Sequence, residues 1–203
     1  MESDKVYGQD PLVYNGKKYS YFLPSGTGGY QFLFSEEYDK GSIVVRGKIV
    51  NDVLINFDVY NQKLLLKFFD ESGSAQILEV SEAWLEGFSL HGTDFRYLSI
   101  NEKSKFYQVL GNGKYQVLYY WWKNLVLANA PGTSGHTFTK PARSQYVMMD
   151  GMIRSYRSNG SFIKLFNPLI KEKIKDYLHD NDIIVKKAPD EKMTDLINYI
   201  SNL

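Results

Sequence analysis

Three β-strands in close succession between residues 41 and 69 constrain this chain more than any other feature. The run Ser42-Ile-Val-Val leads into Arg46-Gly47, residues 53–59 alternate between apolar and polar, and Lys63-Leu-Leu-Leu-Lys67 follows Asn61-Gln62. Successive strand side chains point to opposite faces, so Ile55, Phe57 and Val59 share one face while Asn56 and Asp58 share the other. Connections this short permit only antiparallel neighbours, because a parallel return needs a dozen or more residues. The stretch predicts a meander.

Hairpin signals continue through the first three-quarters of the chain. Asn15-Gly16, Arg46-Gly47, Asn112-Gly113 and Asp150-Gly151 each lie between runs rich in Tyr, Val, Ile or Leu. Asn-Gly and Asp-Gly tolerate the positive φ angles of a type I′ turn best, and Arg46-Gly47 reads as a weaker or bulged version. Further strands are expected at 18–23, 76–80, 95–100, 106–110, 115–122, 145–149 and 153–157. Residues 81–86 read as one helical turn capped by Ser81. The turns are unevenly spaced, which excludes a solenoid or propeller period.

From about Ser161 the period becomes helical. Asn167 caps a helix with Pro168 at its first position, and Leu169, Ile170, Ile174, Tyr177 and Leu178 fall on one face. Asp190 is placed to cap a last helix with the apolar face Met193, Leu196, Ile197 and Ile200. Neither helix is long enough to stand alone, so each must dock its stripe on the sheet. The expected fold is α+β and mainly β: a hairpin-rich antiparallel meander forming a curved sheet or open barrel, with two C-terminal helices packed on it. Ile55, Phe57, Leu64, Leu66, Val117 and Leu178 are the expected core. The organisation read here is a β-body over 1–158 and a helical appendage over 159–203, within one structural domain.

Composition narrows the function classes. With 203 residues, 43% of them hydrophobic, the chain can bury one good-sized core. The formal net charge is +1, and residues 160–203 balance seven Lys against seven Asp or Glu. No basic stripe is available to neutralise phosphates, so nucleic acid is not an expected partner. Absence of cysteine excludes disulfides and thiol-based metal chemistry. No apolar run approaches the ~20 residues that span a bilayer as a helix. Met1-Glu-Ser-Asp-Lys5 lacks a basic region followed by an apolar one, leaving two readings: no signal peptide, or a mature form with a start Met added.

The segment Gly41-Ser-Ile-Val-Val-Arg-Gly-Lys48, then Asn51-Asp-Val-Leu-Ile-Asn-Phe-Asp-Val-Tyr60, a polar turn and Leu64-Leu-Leu66, resembles a family of uncharacterised exported proteins of the Bacteroidetes. The shared pattern is a hairpin followed by an L-x-Y-D-x-Y strand. The C-terminal succession of Asp150-Gly151, a strand, a capped helix over 168–180, residues 183–187 and an acidic-capped last helix is similar too. Here Asn56-Phe57-Asp58 and Asn61-Gln62 stand where that family has Tyr-Asp and Arg-Asp. The resemblance covers about two-thirds of the chain. It implies an exported, periplasmic or outer-membrane-associated protein and supplies no catalytic residue.

Several constellations bear on chemistry. Gly132-Thr-Ser-Gly-His136 holds Ser134 and His136 in a loop without the strained elbow that presents a serine nucleophile. His91, His136 and His179 are too scattered for a metal site, and Asp39, Asp52 and Asp58 lack an Asp-x-Asp-x-Asp-Gly run. Carboxylate pairs exist at Glu36-Glu37 and at Glu82 with Glu86, the raw material of glycosidase chemistry. Ser25-Gly-Thr-Gly-Gly29 has the glycine content of a phosphate loop but no Gly-Lys-Ser/Thr ending. Aromatics make up 15% of the chain, with 16 Tyr, 12 Phe and 3 Trp. Tyr119-Tyr-Trp-Trp122 puts Tyr120 and Trp122 on one strand face, and these two with Trp84 are the expected ligand-binding residues. No catalytic residue, metal or cofactor is assigned. The favoured function is a non-catalytic cell-envelope protein that binds a protein partner or a small apolar or glycan ligand. The alternative is a hydrolase using a carboxylate pair or Ser134.

Overall fold

The computed structural model describes residues 16–100, 103–128 and 135–203. In chain order the strands are β1 (Lys17–Lys18), β2 (Asp39–Val45), β3 (Lys48–Asp58), β4 (Lys63–Phe69), β5 (Ala75–Glu79), β6 (Leu85–Leu90) and β7 (Thr93–Ile100). There follow β8 (Lys103–Leu110), β9 (Tyr115–Trp122), β10 (Leu125–Leu127), β11 (His136–Phe138), β12 (Ala142–Met149) and β13 (Met152–Ser155). The helices are α1 (Asn159–Ile163), α2 (Lys171–Asp180) and α3 (Asp190–Ser201).

Eleven strands form one antiparallel sheet in the order β1-β5-β4-β3-β2-β6-β7-β8-β9-β12-β13, and β10 pairs with β11 in a separate ribbon. The expected three-strand meander is β2 to β4, and β5 extends it beside β4; β6 then returns to the free side of β2. β1 and β13 do not pair with each other, so the sheet is open.

Turn chemistry sets the register. Arg46-Gly47 and Asp150-Gly151 are two-residue turns with φ of 50° and 69°, and 49° and 74°. They place Val45 opposite Lys48 and Met149 opposite Met152. His91-Gly92, with φ of 53° and 70°, makes a third such turn that dipeptide preference had not marked. Asn15 lies outside the described residues. Asn112-Gly113 sits in a wider loop between β8 and β9. A Cβ on Gly113 would lie 2.6 Å from the Ser201 side chain, and one on Gly111 would lie 2.5 Å from Ile197. These glycines serve the docking of α3.

The chain forms two compact units. Among the described residues the first comprises 16–99, 103–106, 121–128 and 135–142; the second comprises 100, 107–120 and 143–203. In the first, Ile43, Val53, Ile55, Phe57, Leu64, Leu66, Phe88 and Phe95 form the core with Phe106. The Phe57 and Phe106 rings are 5.3 Å apart although their strands lie four places apart in the sheet. Four spacings of a flat sheet span about 19 Å, so this part of the sheet must curl over its own core. Asn56 and Asp58, on the polar face of β3, are buried as well. Asn56 Nδ2 donates to the Ser35 and Glu37 carbonyls, while Asp58 accepts from the Tyr19 hydroxyl and from the Asn61 backbone and side-chain nitrogens. A face that alternation assigns to solvent is thus roofed by its own loop.

In the second unit Val117, Tyr119 and Val147 are buried together with the helical stripe Ile174, Leu178, Met193, Leu196, Ile197 and Ile200. Three local expectations are corrected. Leu169 is 86% exposed, because Asn167 and Pro168 open a 3-10 turn (Pro168–Ile170) and the α-helical period starts only at Lys171. Residues 81–86 are not a helical turn, since Leu85 and Glu86 enter β6 and Leu85 pairs with Val45. Asp190 is the first residue of α3 and does not cap it; its carboxylate is drawn away by Gln108 and Arg143.

Candidate functional site

A cavity of about 470 Å³ lies within the second unit, where the β12–β13 ladder ends. Pairing closes with Tyr146 opposite Ser155, and one further bond runs from the Tyr156 N–H to the Gln145 carbonyl. The chain then turns into α1, whose entry is fixed by a capping box between Ser158 and Ser161. Tyr156 points inward and meets the edge of Phe162 at 5.0 Å. Asn159 clamps the α2–α3 connection: its Nδ2 donates to the Ile183 carbonyl at 2.7 Å and its Oδ1 accepts from the Val185 N–H at 2.9 Å. That clamp carries Lys186 to the cavity. Gln145 Nε2 secures it by donating to the Lys186 carbonyl at 3.1 Å.

The lining is Arg143, Ser144, Gln145, Tyr146, Ser155, Tyr156, Arg157 and Lys186. Arg143 is held firmly. It bonds Asp190 at 2.8 Å and the Ala188 carbonyl at 3.2 Å, and its guanidinium lies 3.9 Å from the Tyr119 ring centre. Gln108 takes the second oxygen of Asp190 at 2.5 Å. Arg157 and Lys186 are exposed and form no ion pair among the described residues. Gln145 Oε1 is buried without a hydrogen-bond partner, while the buried hydroxyls of Tyr119 and Tyr156 interact with each other. Burial raises the Tyr119 pKa to about 12, and raises that of Tyr156 further with help from Tyr119. Both stay protonated.

The lining residues offer hydrogen-bonding and charged groups. None of the lining residues is Asp, Glu or His, so Ser144 and Ser155 have no conventional base among them. Guanidinium, ammonium, hydroxyl and amide groups can hold a polar ligand, and Tyr146 is the aromatic residue beside Ser144 and Ser155.

The residues expected to bind ligand are distributed otherwise. Tyr120 belongs to the second unit and lies 6.0 Å from Tyr107, itself 6.0 Å from the cavity residue Tyr146. This tyrosine row links it to the pocket. Trp84, in the first unit, is 38% exposed and has the Arg46 guanidinium 3.4 Å from its ring centre. Trp122, also in the first unit, is half-buried at the end of β9.

The enzyme-like candidates are otherwise engaged. Ser134 lies outside the described residues, and His136 sits on β11 opposite Leu127. The glycine loop spends its backbone on that ribbon, Gly28 donating to the His136 carbonyl and accepting from Phe138. Glu36 and Glu37 are exposed; Glu86 accepts from the Gly47 N–H. Glu82 accepts from Lys63 and Tyr97. Burial would raise its pKa, but these two donors outweigh burial and hold it below the usual carboxylate value, the wrong direction for a general acid. Among the described residues no group of three or more His, Asp or Glu converges as a metal site.

The pocket cations escaped the sequence reading, although one signal was present. Continuing the register set by Asp150-Gly151 puts Arg157 across from Ser144 and next to Arg143. Lys186 arrives only through helix docking. Comparison of the chain with protein-family models, curated proteins and solved structures finds no match.

Proposed function

We propose that the protein is a non-catalytic binding module that holds a small polar ligand of the glycan class in the pocket between β12, the end of β13 and the α2–α3 connection. The supporting observation is a cavity of about 470 Å³ that joins hydrogen-bonding side chains to a tyrosine ring without an acid–base pair. Its size falls within the ~300–1,000 Å³ of small-molecule sites. The polar lining favours a glycan over an apolar ligand. A place in the cell envelope belongs to the same proposal and rests on the exported-protein pattern of residues 41–66. No helix among the described residues is long and apolar enough to cross a membrane.

A thermal-shift screen of neutral and acidic oligosaccharides, fatty acids and divalent metals tests the reading, since a ligand of the native state raises the melting temperature. Oligosaccharides should raise it, and Ser155→Trp, which fills the cavity from its rim, should remove that rise. Stabilisation by fatty acids alone would argue for an apolar site elsewhere. Release of shorter products on prolonged incubation would favour the hydrolase.

A further inference from the structure

The pocket carries more positive charge than its own residues neutralise. Arg143 is bound to Asp190, but Arg157 and Lys186 line the same cavity with no carboxylate among the lining side chains. They come from different elements, Arg157 from the segment after β13 and Lys186 from the connection pinned by Asn159. Exposed like charges at one cavity repel only weakly through water, and an anion bound between them gains attraction from both. A guanidinium fork also matches the two oxygens of a carboxylate, which a lysine can support as a point charge. Ser144, Ser155 and Tyr146, which the β12–β13 register sets on one face with Arg157, line the same cavity, and a sugar can hydrogen-bond to and pack on such groups.

We infer that the ligand is an acidic glycan whose carboxylate is held by Arg157 and Lys186 and whose hydroxyls meet Ser144 and Ser155. The inference rests on the binding reading above and names its ligand class.

Isothermal titration calorimetry with digalacturonate, its dimethyl ester and inorganic phosphate tests this on the full chain and on Arg157→Gln, Lys186→Gln and Ser155→Trp. The Arg157 and Lys186 side chains are exposed, so the two glutamine variants should fold, which an unchanged melting temperature checks. Wild type should bind digalacturonate at least tenfold more tightly than the ester. Each glutamine variant should weaken digalacturonate about tenfold, the size expected for one charge-assisted hydrogen bond, and leave the ester unaffected. Ser155→Trp should abolish both. If ester and acid bind equally and only Ser155→Trp matters, the acidic class is overturned while the glycan pocket stands. Binding of phosphate without either sugar overturns the acidic glycan in favour of a simple anion site. If none of the three binds, this inference and the binding reading both fall.

Discussion

Two charged clusters, one in each unit, treat charge in opposite ways. In the first unit Lys63 sits between Glu79 and Glu82, each 2.8 Å from its ammonium, and Tyr97 donates to Glu82. Burial alone would lower the Lys63 pKa, but the two carboxylates more than reverse it. Every charge there has a partner inside the protein. In the second unit Arg143 and Asp190 are matched the same way, yet Arg157 and Lys186 beside them are not. A cluster that satisfies itself holds the fold together. Solvent-exposed cations around a cavity stay open to an anion from outside, and on that contrast the proposed ligand site rests.

The largest effect is expected where internal satisfaction is most complete. Lys123 is buried, donates to the Tyr30 and Phe32 carbonyls, and lies 4.1 Å from the Tyr30 ring centre. Lys123→Ala strands both carbonyls and should cost about 3 kcal/mol by urea denaturation. A loss under ~1 kcal/mol would mean that water replaces the ammonium and that the first unit is less closed than argued. Lys63→Ala comes next. Its surroundings are about one-third exposed, so the cost is smaller, about 1–2 kcal/mol, as two carboxylates lose their shared partner.

The pH dependence of stability sharpens the same contrast. The folded pKa of Glu82 lies below its ordinary 4.5, so its contribution is present above that value and fades as the pH falls through the folded one. The folded pKa of Lys63 is raised, so its contribution holds below 10.5 and is lost as the pH climbs through the higher folded value. Urea midpoints should therefore drop below about pH 4.5, and Lys63→Ala should show a shallower acid slope. Identical slopes would detach the slope from this cluster. The smallest effect belongs to the pocket: Arg157→Gln and Lys186→Gln should leave stability within about ±0.5 kcal/mol of wild type. A larger loss would make these cations structural and erase the distinction.

What could be read in advance depended on how local the determinant was. β9 was legible to the residue because Tyr115 to Trp122 is a bounded aromatic run, and Asp150-Gly151 announced its hairpin through its own φ preferences. The Asn167 cap was legible too, since its side chain accepts from the Leu169 N–H only two residues away. β6 was obscured because Ser81 and Glu82 imitate a helix start, while its strand identity comes from pairing with β2 some forty residues earlier. α1 was missed for its brevity; its capping box is Ser-to-Ser rather than Ser-to-Glu. Burial of Asn56 and Asp58 was hidden because the covering loop carries no periodic pattern. The pocket was least legible, as its cations come from three stretches joined only by hairpin register and the Asn159 clamp. The aromatic surplus drew the reading toward Trp84, Tyr120 and Trp122, of which Tyr120 alone belongs to a ring row that reaches the cavity.

The central claim is that the uncompensated cations of the second unit mark a ligand site. Amide chemical-shift mapping on ¹⁵N-labelled protein during titration with digalacturonate tests it most directly. The account predicts saturable shifts concentrated at Ser144, Gln145, Tyr146, Ser155, Tyr156, Arg157 and Lys186, with Gly47, Lys63, Glu79 and Glu82 unmoved. Shifts centred instead on Trp84 and Arg46, or no shift among the cavity residues at saturating sugar, would contradict it.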